Sequence, residues 1–143
     1  MIASIDGGAR GNPGSAGFGV YVQDDQGREL ASLYGYLGVQ TNNVAEYAGL
    51  LAALRWALSN NVKRLTIRSD SQLLVRQVLG QYRVKNPVLQ QLHGTALPMM
   101  RKIGQVRVEH VPREQNKDAD RLANMAMDTR GEQPEGITAG LLA

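Results

Sequence analysis

A chain of 143 residues without a cysteine fits one domain with its own core, and it excludes a disulfide framework, thiolate catalysis and thiolate metal sites. Sixteen basic residues against 13 acidic ones leave a net charge of +3, a modest lean towards a polyanionic partner. No apolar run approaches the ~20 residues that span a bilayer, and the opening MIASIDGGARGNPG lacks the segments of a signal peptide, so a soluble, cytoplasmic protein with no membrane partner is expected.

MIASID (1–6) reads as a short strand that stops at Asp6, and GGARGNPGSAG (7–17), rich in glycine, reads as a loop. FGVYVQ (18–23) alternates as a strand does, and the turn DDQGR (24–28) joins it to a hairpin partner, ELASLYGYLG (29–38). TNNVAEYAGLLAALRWALSNN (41–61) is the clearest helix: Val44, Tyr47, Ala48, Leu51, Leu54 and Leu58 recur at spacings of three and four, and Asn42 or Asn43 can cap its start. RLTIRS (64–69) reads as a strand and SQLLVRQVLG (71–80) as a short helix closed by Gly80. NPVLQQLHGTALPMMRKIG (86–104) reads as a helix that opens on an Asn-Pro pair and is expected to kink or break at Pro98. QVRVEHV (105–111) alternates as a strand. NKDADRLANMAMDTR (116–130) places Ala119, Leu122, Ala123 and Ala126 on one helical face.

The expected organisation is one domain over 1–130 and an irregular tail over 131–143, packed through Ile137, Leu141 and Leu142 or else disordered. The order β-β-β-α-β-α-α-β-α implies a mixed sheet with helices on its faces. Trp56, inside an apolar helix, reads as core, and the five Met residues read as packing.

Four acids hold similar positions. Asp6 and Asp70 end strands, Glu46 lies in the first turn of the first helix, and Asp120 lies early in the last one. Each has a structural role available to it: Asp-Gly starts turns, Asn43-x-x-Glu46 resembles a capping box, Asp70 can cap a helix, and Asp120 suits a positive helix end. Together they point elsewhere, because the topology can bring all four to one edge of the sheet. Carboxylates that share a cleft raise one another's pKa, and divalent cations neutralise them. Oxygen ligands favour Mg²⁺ or Mn²⁺, and two such ions can activate water and stabilise a leaving oxygen.

DGGARGNPGSAGFG, TNNVAEYAGLLAAL, SDSQLLVRQV and HVPREQNKDADRLAN resemble, in order and spacing, the motifs of type 1 ribonuclease H across about residues 1–128. The resemblance implies an α/β fold with a five-stranded mixed sheet, three strands antiparallel and the rest parallel, and helices on both faces. It implies endonucleolytic hydrolysis of the RNA strand of an RNA–DNA hybrid by two Mg²⁺ ions, with Mn²⁺ able to substitute, giving 5′-phosphate and 3′-hydroxyl ends. The family's metal-binding acids map to Asp6, Glu46, Asp70 and Asp120, and its catalytic histidine maps to His110. A monomer acting on a hybrid duplex is expected.

For the substrate, the resemblance places Asn12 in the minor groove near ribose hydroxyls, where a side-chain amide complements a group that both donates and accepts. Gly7, Gly8 and Gly11 let the backbone approach the RNA strand. Thr41, Asn42 and Asn43 precede a helix N-terminus, a natural phosphate site, and Gln72 can reach a base edge or sugar. Some family members carry a long basic protrusion where this chain has only GQYRVKN, which leaves Tyr82, Arg83 and Lys85 to meet the DNA strand. Alternatives from other classes are a non-cleaving nucleic-acid-binding module of the same fold, which predicts a missing acid, and a nuclease of the superfamily that acts on DNA. A two-carboxylate glycosidase leaves two acids unused.

Overall fold

Alternation in the first forty residues extends through the glycines that the sequence reading assigns to a loop. In the computed structural model, which describes residues 1–143, β1 spans Ile2–Arg10, β2 Gly14–Gln23 and β3 Glu29–Gln40. The segment 7–17 is therefore a hairpin, with Ala9 opposite Ala16 and Arg10 opposite Ser15. Only residues 11–13 turn, and Gly11 takes a φ of +92°, a conformation that glycine adopts without steric cost. Helices press on the sheet at some of the strand glycines: a side chain on Gly7 would collide with the Ala45 carbonyl, and one on Gly19 with the Ala119 carbonyl.

The chain continues through α1 (Asn42–Ser59), β4 (Arg64–Ser69), α2 (Gln72–Val78), α3 (Pro87–Ile103), β5 (Gln105–His110), a 3-10 turn (Arg113–Gln115), α4 (Lys117–Thr129) and β6 (Glu132–Gln133). The sheet order is β5-β4-β1-β2-β3-β6, so it has six strands where five are expected from the sequence. β1, β4 and β5 run parallel, and β1, β2, β3 and β6 pair antiparallel. Gly7 and Phe18, opposite one another, face α1; Asp6 and Gly19, the next pair, face the side on which α4 packs. No helix is long and apolar enough to cross a membrane.

Helix starts differ from expectation in one respect. Thr41, and neither Asn42 nor Asn43, caps α1, its hydroxyl accepting from the Val44 amide at 3.2 Å. Asn86 caps α3 as its sequence suggests, accepting from Val88 at 2.9 Å and Leu89 at 3.1 Å. Pro98 does not break α3. Pro98 and Gly94 are both exposed, so the carbonyl that loses its amide partner faces water, which limits the cost.

The core lies between the sheet and α1, with Ile5, Phe18, Val20, Leu50, Leu54 and Ile67 fully buried. Tyr47 joins it and donates from its hydroxyl to Gln77 Oε1 at 2.7 Å, tying α1 to α2. Trp56 packs against this core from a half-buried position. The tail is ordered beyond its expected irregularity: β6 pairs with Tyr34 and Gly35, Leu141 is buried, and Arg55 donates to the Ala139 carbonyl at 3.2 Å. Leu141→Ala is expected to cost about 2–4 kcal/mol, lowering the melting temperature by roughly 5–12 °C. A calorimetric scan showing no shift would mean that the tail contributes nothing to stability.

Candidate active site

The acids converge because of strand register. In the parallel pairing of β1 with β4, Ile5 lies beside Ser69, so Asp6 and Asp70 follow side by side where β4 ends. Asp70 is not a helix cap: Ser71 fills that role, its hydroxyl accepting from the Leu74 amide at 3.2 Å. Glu46 falls one position beyond the first turn of α1 and makes no capping box. Gly7 lets the α1 backbone close on β1 at this point. Carboxylate oxygens of Asp6, Glu46 and Asp70 all lie within 4.8 Å of one another. Asp120, from α4, stands outside that triplet but lines the same cleft of about 440 Å³.

Burial dominates the electrostatics, and the crowding of acids adds to it. Asp6, only 9% exposed, is pushed up to about 8 by burial first, then by the Asp70 charge and by Asp120. The Gly7 amide, donating to Asp6 Oδ1 at 2.9 Å, opposes the shift. Glu46 is raised well above the usual carboxylate range by burial and by the Asp6 and Asp70 charges. Its Oε2 is buried with no hydrogen-bond donor.

None of the four acids has a basic side chain in an ion pair with it, and the nearby Arg10 is turned to Asp128 at 2.6 Å and Asn124 Oδ1 at 3.2 Å. Hard anionic oxygens, one of them orphaned and none held in an ion pair, fit a divalent cation such as Mg²⁺ or Mn²⁺.

The remaining residues singled out in the sequence separate into groups. Gly7, Gly8 and Asn42 line the acidic cleft. Asn12, Thr41 and Asn43 line a neighbouring hollow of about 330 Å³ together with Asn86. Asn42 joins the two, its Oδ1 accepting from Ala9 at 2.7 Å and its amide donating to Asn12 Oδ1 at 3.1 Å. Gly11 sits in the turn between β1 and β2.

His110 ends β5 opposite Ser69, exposed, at the same end of the sheet but outside the cleft lining. Gln72 is exposed at the start of α2. Tyr82, Arg83 and Lys85 are exposed on the segment before α3, and the Arg76 guanidinium lies 5.2 Å from the Tyr82 ring centre.

Three residues at the site escape a sequence reading. Asn116, 1% exposed, donates from Nδ2 to the Ile5 carbonyl at 2.9 Å and so fixes the start of α4 beside Asp6. Its place just before a helix suggests a cap, but its side chain makes no capping bond. Asn124 and Arg113 line the cleft; both fall within the HVPREQNKDADRLAN motif, of which the sequence reading uses only His110 and Asp120.

Known proteins resemble this chain over most of its length. The reverse transcriptase-like family profile matches residues 4–126. The bifunctional protein Rv2228c of Mycobacterium tuberculosis is 42% identical over 129 residues, 90% of this chain and 35% of that protein. Ribonuclease HI of Halobacterium salinarum is 36% identical over 126 residues, 88% of this chain and 63% of that protein. The chain thus spans about a third of the length of the first of these relatives. The crystal structure of LC11-RNase H1 in complex with RNA/DNA hybrid superposes with a TM-score of 0.86 at 39% identity, over 90% of this chain and 97% of that one.

Crowded acids make stability depend on pH. Burial and the neighbouring charges push Asp6 up to about 8 in the folded protein, against the ordinary aspartate value of 3.8 in the unfolded chain. Between those values the unfolded state binds fewer protons, so without metal this group costs stability as pH rises. Asp70→Asn removes one of the charges responsible. It is expected to raise the melting temperature in EDTA at pH 8 by more than at pH 5. Equal shifts at the two pH values would contradict the coupling.

Proposed function

The chain belongs to the type 1 ribonuclease H family, and from that premise we propose that it hydrolyses the RNA strand of RNA–DNA hybrids, leaving 5′-phosphate and 3′-hydroxyl ends. The observation that carries this reading is the gathering of Asp6, Glu46 and Asp70 within 4.8 Å, in a cleft that Asp120 also lines, with no basic partner. Asp6, Glu46, Asp70 and Asp120 would hold two divalent cations, Mg²⁺ or Mn²⁺, which when bound supply the positive charge that activates water and stabilises the leaving oxygen.

The chain's own groups have separable tasks in this reading. The Gly7 amide orients the Asp6 carboxylate by its hydrogen bond, and the buried, unpartnered Glu46 oxygen would serve as a ligand to the cation. The β1–β2 turn, with Gly8, Gly11 and Asn12, meets the RNA backbone. The Asn12 side-chain oxygen already holds the Asn42 amide, so its NH₂ faces the ribose hydroxyl. Thr41 and Asn43, at the N-terminus of α1, receive a phosphate. Gln72 contacts a sugar or base edge. His110, at the sheet end that carries Asp70, assists proton transfer or product departure. All four acids come from one chain, so a monomer suffices.

Labelled RNA–DNA hybrid, double-stranded RNA and double-stranded DNA, each with Mg²⁺, Mn²⁺ or EDTA, test this directly. Hybrid is expected to be cut with either metal and left intact in EDTA. Asp70→Asn should lower the rate by about 10²–10³-fold or more, the scale of losing a preorganised electrostatic group. Cleavage of DNA duplex without cleavage of hybrid would overturn the reading.

The DNA strand is met by few cations. Arg83 and Lys85 stand exposed beside Tyr82, whose ring the Arg76 guanidinium overlies. Replacing both Arg83 and Lys85 with Ala should raise KM and reduce the salt dependence of binding by a slope of about two, with kcat nearly unchanged. Unaltered binding at several salt concentrations would place the DNA contact elsewhere.

A further inference from the structure

Positive charge is unevenly spread over this molecule. Lys63, Arg64, Arg68, Arg101, Lys102 and Arg107 belong to one region, around the starts of β4 and β5. In the β4–β5 register Arg64 lies beside Gln105, Thr66 beside Arg107 and Arg68 beside Glu109. The Gln105 amide donates to the Lys63 carbonyl at 3.0 Å, which sets the last turn of α3, with Arg101 and Lys102, against the start of β4. The acids that meet this group are Asp25 and Glu109. The rest of the chain then has ten basic residues against eleven acidic ones, so the whole positive excess resides here. Arg64 stands six residues before Asp70, about 20 Å along an extended strand, so this pole is remote from the acidic cleft.

Little of the charge is neutralised within the molecule. Lys63, Arg64, Arg101 and Lys102 are exposed and take part in no ion pair. Arg68 and Arg107 share the single carboxylate of Glu109, at 3.5 and 3.7 Å. Asp25 is engaged by the terminal amino group of Met1 at 3.0 Å. Arg101 and Lys102 suit the negative end of α3, but that role leaves Lys63, Arg64 and Arg107 unexplained. Arg64, Thr66, Gln105 and Arg107 line a hollow of about 230 Å³, so two guanidinium forks meet there beside a hydroxyl and an amide.

We propose that this pole is a second nucleic-acid-binding surface, which takes the phosphate backbone of a stretch of strand other than the one in the acidic cleft. The cations form a band across α3, β4 and β5, too long for one anion and suited to a chain of regularly spaced phosphates. Arginine forks at its centre grip phosphate oxygens in pairs and stay charged at any working pH. The assignment stands on this distribution of charge and not on the hydrolysis proposed above. Without metal the acidic cleft repels a strand, so binding in EDTA isolates the pole.

The probe is a fluorescent oligothymidylate of about 20 nucleotides, longer than the usual footprint of a single-strand site, followed by anisotropy in EDTA at several chloride concentrations. Replacing Lys63, Arg64, Lys102 and Arg107 together with Ala should lower the salt slope by about two to three, at roughly 0.7 per phosphate contact on a single strand. Affinity at low salt should fall about tenfold or more. Arg64→Lys with Arg107→Lys, which keeps the charge, should retain most of the slope. If the fourfold variant melts early, Lys63→Glu with Lys102→Glu, both at exposed positions, gives the same reading.

Cleavage of a short hybrid in Mg²⁺ by the fourfold variant should stay within about twofold of the native rate, because screening at 0.1 M salt acts over about 10 Å. A native salt slope in the fourfold variant overturns the proposal. An equal loss of short-hybrid cleavage overturns it too, since the pole would then be part of one continuous substrate surface. Displacement of the strand by inorganic phosphate at matched ionic strength would reduce the pole to a site for a single anion. Tighter binding to phosphatidylserine vesicles than to the strand would assign it to a membrane surface, and either result overturns the strand assignment. Failure of the native protein to cut any hybrid would overturn the hydrolytic reading and leave the binding result in EDTA to decide this one.

Discussion

Repulsion among carboxylates is the constraint around which this molecule is built. Left free, acids as close as Asp6, Glu46 and Asp70 would separate into water. They stay together because each is delivered by an element that cannot retreat. β1 is hydrogen-bonded on both sides, to β2 and to β4, and is covered by α1 on one face and α4 on the other. Asp6 therefore has nowhere to go, and its proton affinity rises to about 8 instead. Without metal, the cluster is a store of unfavourable energy that the surrounding core must outweigh. Asp6, Glu46 and Asp70 would hold a divalent cation, and its charge would convert that penalty into affinity, since ligands already gathered need no reorganisation on binding.

Close helix–sheet packing sets how deep the acids sit. Gly7 beneath α1 and Gly19 beneath α4 remove the side chains that would otherwise hold those helices away, and α4 presents Ala119, Ala123 and Ala126 to the sheet. An extra methyl group at Gly19 would meet the α4 backbone, not a yielding side chain, so the helix itself would have to lift and carry Asp120 with it. Small residues on opposite faces of the two central strands thus control carboxylate separation. Asn116 completes the arrangement: its buried amide joins α4 to β1 at the residue next to Asp6, and its unsatisfied Oδ1 shows that the position serves that link at some cost.

What the sequence made legible follows from period and from chemistry. Strand alternation and the apolar spacing of α1 mark the main elements, and the four acids are visible because carboxylates at strand ends and helix starts are a recognisable set. The glycine run 7–17 misleads because composition there reports the demand of helix packing, whereas a turn needs only residues 11–13. Pro98 misleads because local rules assume that a lost hydrogen bond matters equally on every face of a helix. The capping of α1 by Thr41 over its two asparagines depends on Asn42 being occupied with Ala9, a contact between residues far apart in the chain. Asn116 lies within a quoted motif, but its role lies in Ile5, a neighbour that only the fold brings.

The two hollows at the N-terminus of α1 suggest how a small protein without a basic protrusion would select its substrate in the proposed reaction. One hollow is lined by the acids and requires added positive charge before a phosphate can enter; the other, between Thr41, Asn43 and Asn86, is uncharged and offers helix-end polarity. Asn42 bridges them, so their spacing is fixed by hydrogen bonds and not by flexible side chains. In the proposed reaction a duplex would present backbone to both hollows together, which would make groove geometry a condition of binding. Discrimination then comes from shape and from the ribose hydroxyl, and the long-range charge that a basic protrusion would supply is left to affinity alone. Arg76, Arg83 and Lys85 add attraction without sequence or sugar preference. Weak grip and strict choice are compatible because they are carried by different parts of the surface.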